Sequence, residues 1–560
     1  MKKMFAVLMI AMMIMCFMPI AAFADAEYEA KIGETSYGTL DAAVAAAADG
    51  DTIILLKDCS TEGFNLKKSI TIEGDGHKLS FNKYGIALWG KSLTFENCKV
   101  EMKGIGSTPY TAEWNWQAIC ASKDAVLTLN NTDMTMDGTD AGNAHAIYFC
   151  SNNKLNLNNS NLTIKNYPQD ALEWNDGNGG YNVNIVNSTF ISDNNRSGFT
   201  GTFYATVTNS KVDVINSTGN GSNGSHFIIT DDSKVNFNDN GAHGLSAGIL
   251  TIDNSTVNAI GNGANGIHAA DKMVIKNDSK VSVRNNRCSI SSKWTIPGAV
   301  YVGCADSFID ETCEVEITDN KGSGILVKAN ASLYMETGTI IRNTAEKLEM
   351  GGGINNSGKV TLTNEVQLYN NHAAIAGDDI FNAEGATITF GPTGSDWKLD
   401  GTPDCTHDIT GWFDDSEGNR WNAHGEEPLH MEEFSVEGQV TVTGLKELKA
   451  AHGYYTVIYN DGVDGEIVFS DQVNGDLPYG QLTPEFKGVP TREGYVFKGW
   501  TPEVSERVTG NAYYTAIWEK ETVVPETGDT TPMALIMGLF MLAVAALAGS
   551  IFLKKRIAKK

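Results

Sequence analysis

Ten short segments of this chain read alike and recur along its first four hundred residues. They are LTFENCKVEM from Leu93, LTLNNTDMTM from Leu127, LNLNNSNLTI from Leu155, VNIVNSTFIS from Val183 and ATVTNSKVDV from Ala205. The series continues with FIITDDSKVNF from Phe227, LTIDNSTVNA from Leu250, MVIKNDSKVSV from Met273, CEVEITDN from Cys313 and VTLTNEVQLYNN from Val360. Each has two alternating apolar runs around a turn of Asn, Asp, Ser or Thr, the signals of strand and turn. The turn hydroxyl falls at Thr132, Ser160, Ser188, Ser210, Ser233, Ser255 and Ser279, at intervals of 22 to 28 residues. That interval marks a solenoid. A third apolar element precedes the pair in many coils, as in HAIYF at His145, DALEW at Asp170 and AHGLSAG at Ala242. Three short strands per coil predict a parallel β-helix. Val212, Val235 and Val257 should stack inward, and turn asparagines should form ladders. A leucine-rich repeat has a similar period, but its LxxLxLxxN frame and its helical segment are missing.

Exposed end strands of a solenoid need covers. Thr39 can cap a helix over Leu40–Ala48, with Gly50 at its C′ position and a strand over Thr52–Leu56. At the other end, residues 396–450 break the repeat and carry Trp397, Trp412 and Trp421 beside Asp414-Asp415-Ser416-Glu417. They read as a C-terminal cap and connector. The acidic stretch lacks the spacing of an EF-hand loop. No cofactor is expected, and no motif specifies Ca²⁺.

Both chain ends read as addresses. Lys2 and Lys3 precede an apolar run from Met4 to Ile20, with small residues about Ala24 and Ala26, the pattern of a secretory signal peptide over 1–26. At the far end, Val524-Pro525-Glu526-Thr527-Gly528 is followed by an apolar run from Met533 to Leu553 and then by Lys554, Lys555, Arg556, Lys559 and Lys560. The run is long enough for a transmembrane helix, and the basic tail holds its end in the cytoplasm. The formal net charge is −26; the two end segments carry a net excess of five positive charges, leaving about −31 between them. Such acidity argues against nucleic acid as a partner. Eight cysteines remain beyond the signal segment, none in a CxxC pair. Outside the cytoplasm they can form disulfides, or serve as small core residues. Cys98 and Cys313 occupy the turn slot that Ser or Thr fills elsewhere, which favours the core role.

The C-terminal arrangement resembles the LPxTG sorting signal of Gram-positive surface proteins, with Val524 in place of Leu. The resemblance implies a sortase that cuts between Thr527 and Gly528 and joins Thr527 to peptidoglycan. It implies a secreted, wall-anchored protein held in the membrane before sorting. Residues 30–395, opening with the capping helix and strand after Tyr37, resemble the pectin-lyase-like right-handed β-helix superfamily. Residues 451–519 carry Tyr455, Gly494, Tyr495, Phe497, Gly499, Trp500, Ala516 and Trp518, and resemble one Listeria–Bacteroides repeat, a small β-grasp-like module without catalytic residues. The expected order is signal peptide 1–26, β-helix 27–395, cap and connector 396–450, module 451–519 and sorting signal 520–560. The fold class is all-β.

Asn131-Thr132-Asp133, Asp231-Asp232 and Ala242-His243-Gly244 echo glycosidase motifs of the superfamily. Their spacing is too long, and the first two coincide with repeat turns. Two insertions, Tyr110–Ala118 and Tyr167–Tyr181, are better candidates. They and the neighbouring strand carry Trp114, Trp116, Tyr148, Asp170, Glu173, Trp174 and Asp176. Indole faces can stack on sugars while carboxylates accept hydroxyl hydrogen bonds. Alternatively, these rings only pack the insertions onto the coils. His145, Arg196, His226, His243 and His268 fall in the same or nearby coil elements. The expected function is adhesion or glycan and host-matrix binding at the cell surface, without turnover. The alternatives are a wall-bound polysaccharide lyase or glycoside hydrolase, and a structural stalk.

Overall fold

Repeat register governs the architecture. The computed structural model describes residues 28–521 except 110–114, 151, 175–179, 289–297, 347–348, 400–407, 418–432, 464, 479–480 and 509–510. The expected signal peptide, the Val524–Gly528 motif, the apolar run after it, Trp114, Asp176, Cys405 and Trp421 lie outside the described residues. Among the described residues no helix is long and apolar enough to cross a membrane.

The repeats stack as a right-handed parallel β-solenoid of about 12 turns. One face is a 13-stranded parallel sheet running from Cys59–Thr61 to Val366–Tyr369. Val212 pairs in register with Val235, and Val235 with Val257. All three are fully buried. Lys234, one residue away, points to solvent, as strand alternation requires. A column of rings runs through the interior: Phe149 stacks on Tyr181 at 4.5 Å, and Phe199, Phe203 and Phe227 pack edge-on or tilted above them.

The corners are built by asparagine in two ways. Exposed turn residues take left-handed backbone, with φ of 46° at Asn131, 47° at Asn159, 49° at Asn187 and 44° at Asn209. Asn tolerates this conformation better than other side chains. A second, buried file satisfies the interior. Nδ2 of Asn240 donates to Oδ1 of Asn262 at 3.0 Å, and Asn262 to Asn286 at 2.9 Å. Asn286, Asn320 and Asn343 continue the ladder to Asn371. It ends where Asn371 donates to Oδ1 of Asp379 at 2.9 Å. A carboxylate ends such a ladder well because it only accepts. Hydroxyls form a parallel ladder: the Thr132 amide donates to Ser160, that of Ser160 to Ser188, and that of Ser188 to Ser210. Cys98 joins it through its amide, which donates to Thr132 Oγ1 at 3.2 Å. No two of the seven described cysteines are joined in a disulfide.

Both ends are covered. Thr39 Oγ1 accepts from the Ala42 amide and caps a helix at Leu40–Ala46. This helix is two residues shorter than the alanine run predicts, and Gly50 instead turns the chain at φ 91°. At the other end Val440–Thr443 runs antiparallel to Thr387–Phe390, and Lys446–Ala451 antiparallel to Ile380–Asn382. Trp397 and Trp412 are buried here with rings 6.1 Å apart.

A second compact unit begins at Tyr454. The residues from Ala451 to Gly453 thus stay with the solenoid, a shift of the expected boundary from 451. The unit's four strands are Tyr454–Asn460, Gln472–Pro478, Tyr495–Thr501 and Ala512–Lys520. They lie in the order second, first, fourth, third, with the central pair parallel. Val457, Tyr459, Leu477, Val508 and Tyr514 form its core.

Candidate functional site

The third strand of each coil places the candidate residues. Tyr148 pairs with Glu173, and Glu173 with Thr200. Thr200 pairs with Asn223. One coil on, where Ala247 pairs with Gly224, Ser246 pairs with His268 and His268 with Tyr301. These residues make one file parallel to the solenoid axis. Its six coil steps span about 29 Å at the usual strand spacing. The His268 and Tyr301 rings stack at 4.4 Å and 5°, and His243 lies 5.6 Å from His268. Burial and the nearby His243 push His268 down to about 4, so its imidazole is neutral at neutral pH.

The polar end of the file is a cluster around Asp170. This side chain is fully buried, which an unpaired carboxylate would not tolerate. Arg196, 26 residues later, grips it with two nitrogens: Nε donates to Oδ1 at 2.8 Å and Nη2 donates to Oδ2. The Asp170 amide donates to His145 Nδ1 at 3.4 Å. Glu173 Oε2 is buried, with no hydrogen-bond partner among the described residues, 3.9 Å from Arg196 Nη2. Burial, reinforced by the adjacent Asp170 carboxyl, pushes Glu173 up to about 9. Burial would also raise Asp170, but the Glu173 carboxyl and the guanidinium outweigh it and hold Asp170 below its ordinary value. Burial lowers His145 despite Asp170 beside it. At neutral pH the cluster therefore holds one carboxylate, one carboxylic acid, one guanidinium and a neutral imidazole.

His145, Asp170 and Glu173 offer ligand atoms within 4.8 Å of one another. Arg196 already engages both Asp170 oxygens and approaches Glu173. A metal ion would have to displace that guanidinium, so the set fits an ion pair better than a metal site.

The structure separates the sequence candidates. Asp170 is not a free acceptor for sugar hydroxyls, because it is buried and paired. Trp174 is half-buried against the core, with its indole N–H enclosed. Gly201, at φ 90°, lies against it, and a Cβ there would meet the Trp174 carbonyl oxygen at 2.5 Å. Trp116 is 54% exposed. Its carbonyl accepts the His145 amide at 2.9 Å, which places it one coil from the cluster. It borders a cavity of about 260 Å³ with Gly106, Ala141, Asn143 and Ala144. Gln169 Nε2 donates to Asn143 Oδ1 at 2.6 Å, extending this polar rim toward Arg196. Tyr148 packs edge-on to His145 at 5.7 Å. His226 falls outside the file and stacks on Tyr204 at 4.6 Å. Sequence reasoning missed Asn143, Gln169, Ser246 and Tyr301; aligning the third strands residue by residue would have found the last two.

No family model matches the chain, and no curated protein matches it. Among solved structures, it is similar to the periplasmic alginate epimerase AlgG at 8% identity, covering 58% of this chain and 82% of that one, with a TM-score of 0.23. A double mutant of AlgG matches at 12% identity, covering 58% and 86%, with a TM-score of 0.25. The chain's own strand register carries the fold assignment, a parallel β-helix.

Proposed function

We propose that this chain is a secreted, wall-anchored surface protein whose β-helix binds glycan along the file from Tyr148 to Tyr301. The carrying observation is the neutralised Asp170–Arg196–Glu173–His145 cluster beside the exposed indole of Trp116. Arg196, whose guanidinium is 46% exposed, supplies fixed donors at the cluster's surface, and Trp116 supplies a stacking face. The coil spacing suits an extended glycan lying along the axis. Sorting at Val524–Gly528 by a sortase would join the chain to peptidoglycan. The unit from Tyr454 would serve as a spacer of the Listeria–Bacteroides type; its strand order, with a parallel central pair, is compatible with a β-grasp-like module.

The test is binding of the full chain to a panel of host, mucin and plant glycans. Trp116→Ala should weaken binding about fivefold, for roughly 1 kcal/mol of stacking. Failure to bind any glycan, or binding untouched by Trp116→Ala, would rule out this site.

One observation favours a polysaccharide-acting enzyme as a second reading. Glu173, raised to about 9, stays protonated beside an ionised Asp170. Such a divided pair suits general acid chemistry. Release of new reducing or unsaturated ends, lost in Glu173→Gln, would decide for the enzyme. Binding without product decides for the adhesin.

A further inference from the structure

The C-terminal end of the solenoid holds a second buried charge cluster, away from the glycan file. Lys449 lies on the covering strand Lys446–Ala451, and its Nζ meets Asp378 Oδ2 at 2.6 Å. The two side chains are 18% and 4% exposed. Asp378 is held on the other side as well. The Ala373 amide donates to its Oδ1 at 2.8 Å, and His372 Nδ1 stands 3.2 Å from the same oxygen. The Asp378 amide donates to Asp415 Oδ2 at 2.6 Å, so the backbone is pinned too. Asp379, next in the chain, is fully buried.

We propose that Lys449 and Asp378 join in an intramolecular isopeptide bond, Nζ to Cγ, with loss of one water. The ion pair contains every atom the condensation needs. One ammonium proton passes to Asp378 Oδ2, giving an amine and a carboxylic acid. Burial raises Asp378, but His372, Lys449 and the Ala373 amide outweigh it and hold the pair ionised, so this proton transfer is an uphill step that precedes attack. The amine lone pair then attacks Cγ, and the carbonyl π pair moves onto Oδ1. There the Ala373 N–H meets the developing negative charge. A second proton moves from nitrogen to the Oδ2 hydroxyl, the Cγ–Oδ2 bond breaks and water leaves. Oδ1 returns its electron pair, and the amide nitrogen keeps one hydrogen. No oxidant, reductant or activating group is required. Contact at hydrogen-bond distance inside a packed cap supplies the effective concentration that free lysine and aspartate lack. The bond would tie the covering strand to the last coil and close a loop between residues 71 apart.

Peptide mapping of the full-length folded protein tests this. Trypsin followed by tandem mass spectrometry should return the Asp378 and Lys449 segments as one branched species, lighter than their sum by one water and uncut after Lys449. Lys449→Arg keeps the charge and the hydrogen bond but should return two linear peptides. Recovery of linear peptides cleaved after Lys449 from the folded parent protein overturns the proposal. So does a branched species that persists in Lys449→Arg. Neither result bears on glycan binding, which a separate face carries.

Discussion

At the residue scale, the chain's most consequential choice is to bury Asp170 and give it Arg196. Arg196→Ala would leave a carboxylate in the interior. The expected loss is about 3 kcal/mol, the low end for breaking a buried pair, because the guanidinium is itself 46% exposed. Adding Asp170→Asn should restore much of it, as the uncompensated charge disappears. Denaturant unfolding of the single and double variants measures both. Glu173 gives a pH signature. Its folded value, about 9, lies above its ordinary 4.5, so the folded chain holds a proton that the unfolded chain releases. Its contribution is full below about 4.5 and fades as pH rises toward 9. The slope is at most about 1.4 kcal/mol per pH unit. Glu173→Gln should flatten that decline and be relatively more stable at pH 8 than the parent. Parallel slopes in the two proteins would show that Glu173 ionises freely in the fold.

At the element scale, a strand here is stable only through the coils on either side of it. Val235 is paired with Val212 and Val257 and fully buried. Val235→Asp should destabilise the stack strongly, by several kcal/mol, because the new charge has no partner. Lys234→Asp, on the solvent side, should change stability by less than about 0.5 kcal/mol. Equal losses in urea midpoint would refute the register. The asparagine ladder offers an independent check. Asn286 accepts from the Asn262 amide and side chain and donates to Asn320 and to the Ala259 carbonyl. Asn286→Ala strips those partners at once and should cost roughly 1–3 kcal/mol for each buried group left unsatisfied. Hydrogen exchange at Asn262 should speed up with it.

At the scale of the whole molecule, two compact units divide after Gly453, and the proposed anchor follows the last strand of the second in sequence. Thr527→Ala should block wall linkage while leaving secretion intact, because the Thr527 carbonyl is where the resemblance places acyl transfer. Fractionation of wall and membrane tests it. A variant still released only by wall hydrolases would remove that motif from the anchoring step. A solenoid with unsealed ends would invite edge-to-edge pairing. Here the Leu40–Ala46 helix closes one end, and the antiparallel strands Val440–Thr443 and Lys446–Ala451 close the other.

Much of the fold was legible because a solenoid writes its contacts into its period. Residues one coil apart are spatial neighbours, so the spacing of Ser160, Ser188 and Ser210 already implies their hydrogen-bonded ladder. Alternation likewise implied that Val235 points inward and Lys234 outward. Helix length was less legible, since an alanine run suits helix but does not say where packing stops it. The site was only half legible. The insertions pointed to Trp116, Asp170 and Glu173, and local sequence had no means to rank them. Exposure of Trp116, enclosure of Trp174 and pairing of Asp170 with Arg196 depend on exact coil register and on which side of the wall each chain segment runs. The same holds for Asp378 and Lys449, which lie 71 residues apart and meet only because the chain reverses to cover its last coil. Periodic hydrogen bonding is local information repeated. Burial of a particular charge is decided by segments distant in sequence that fold over it, and only the tertiary structure contains that.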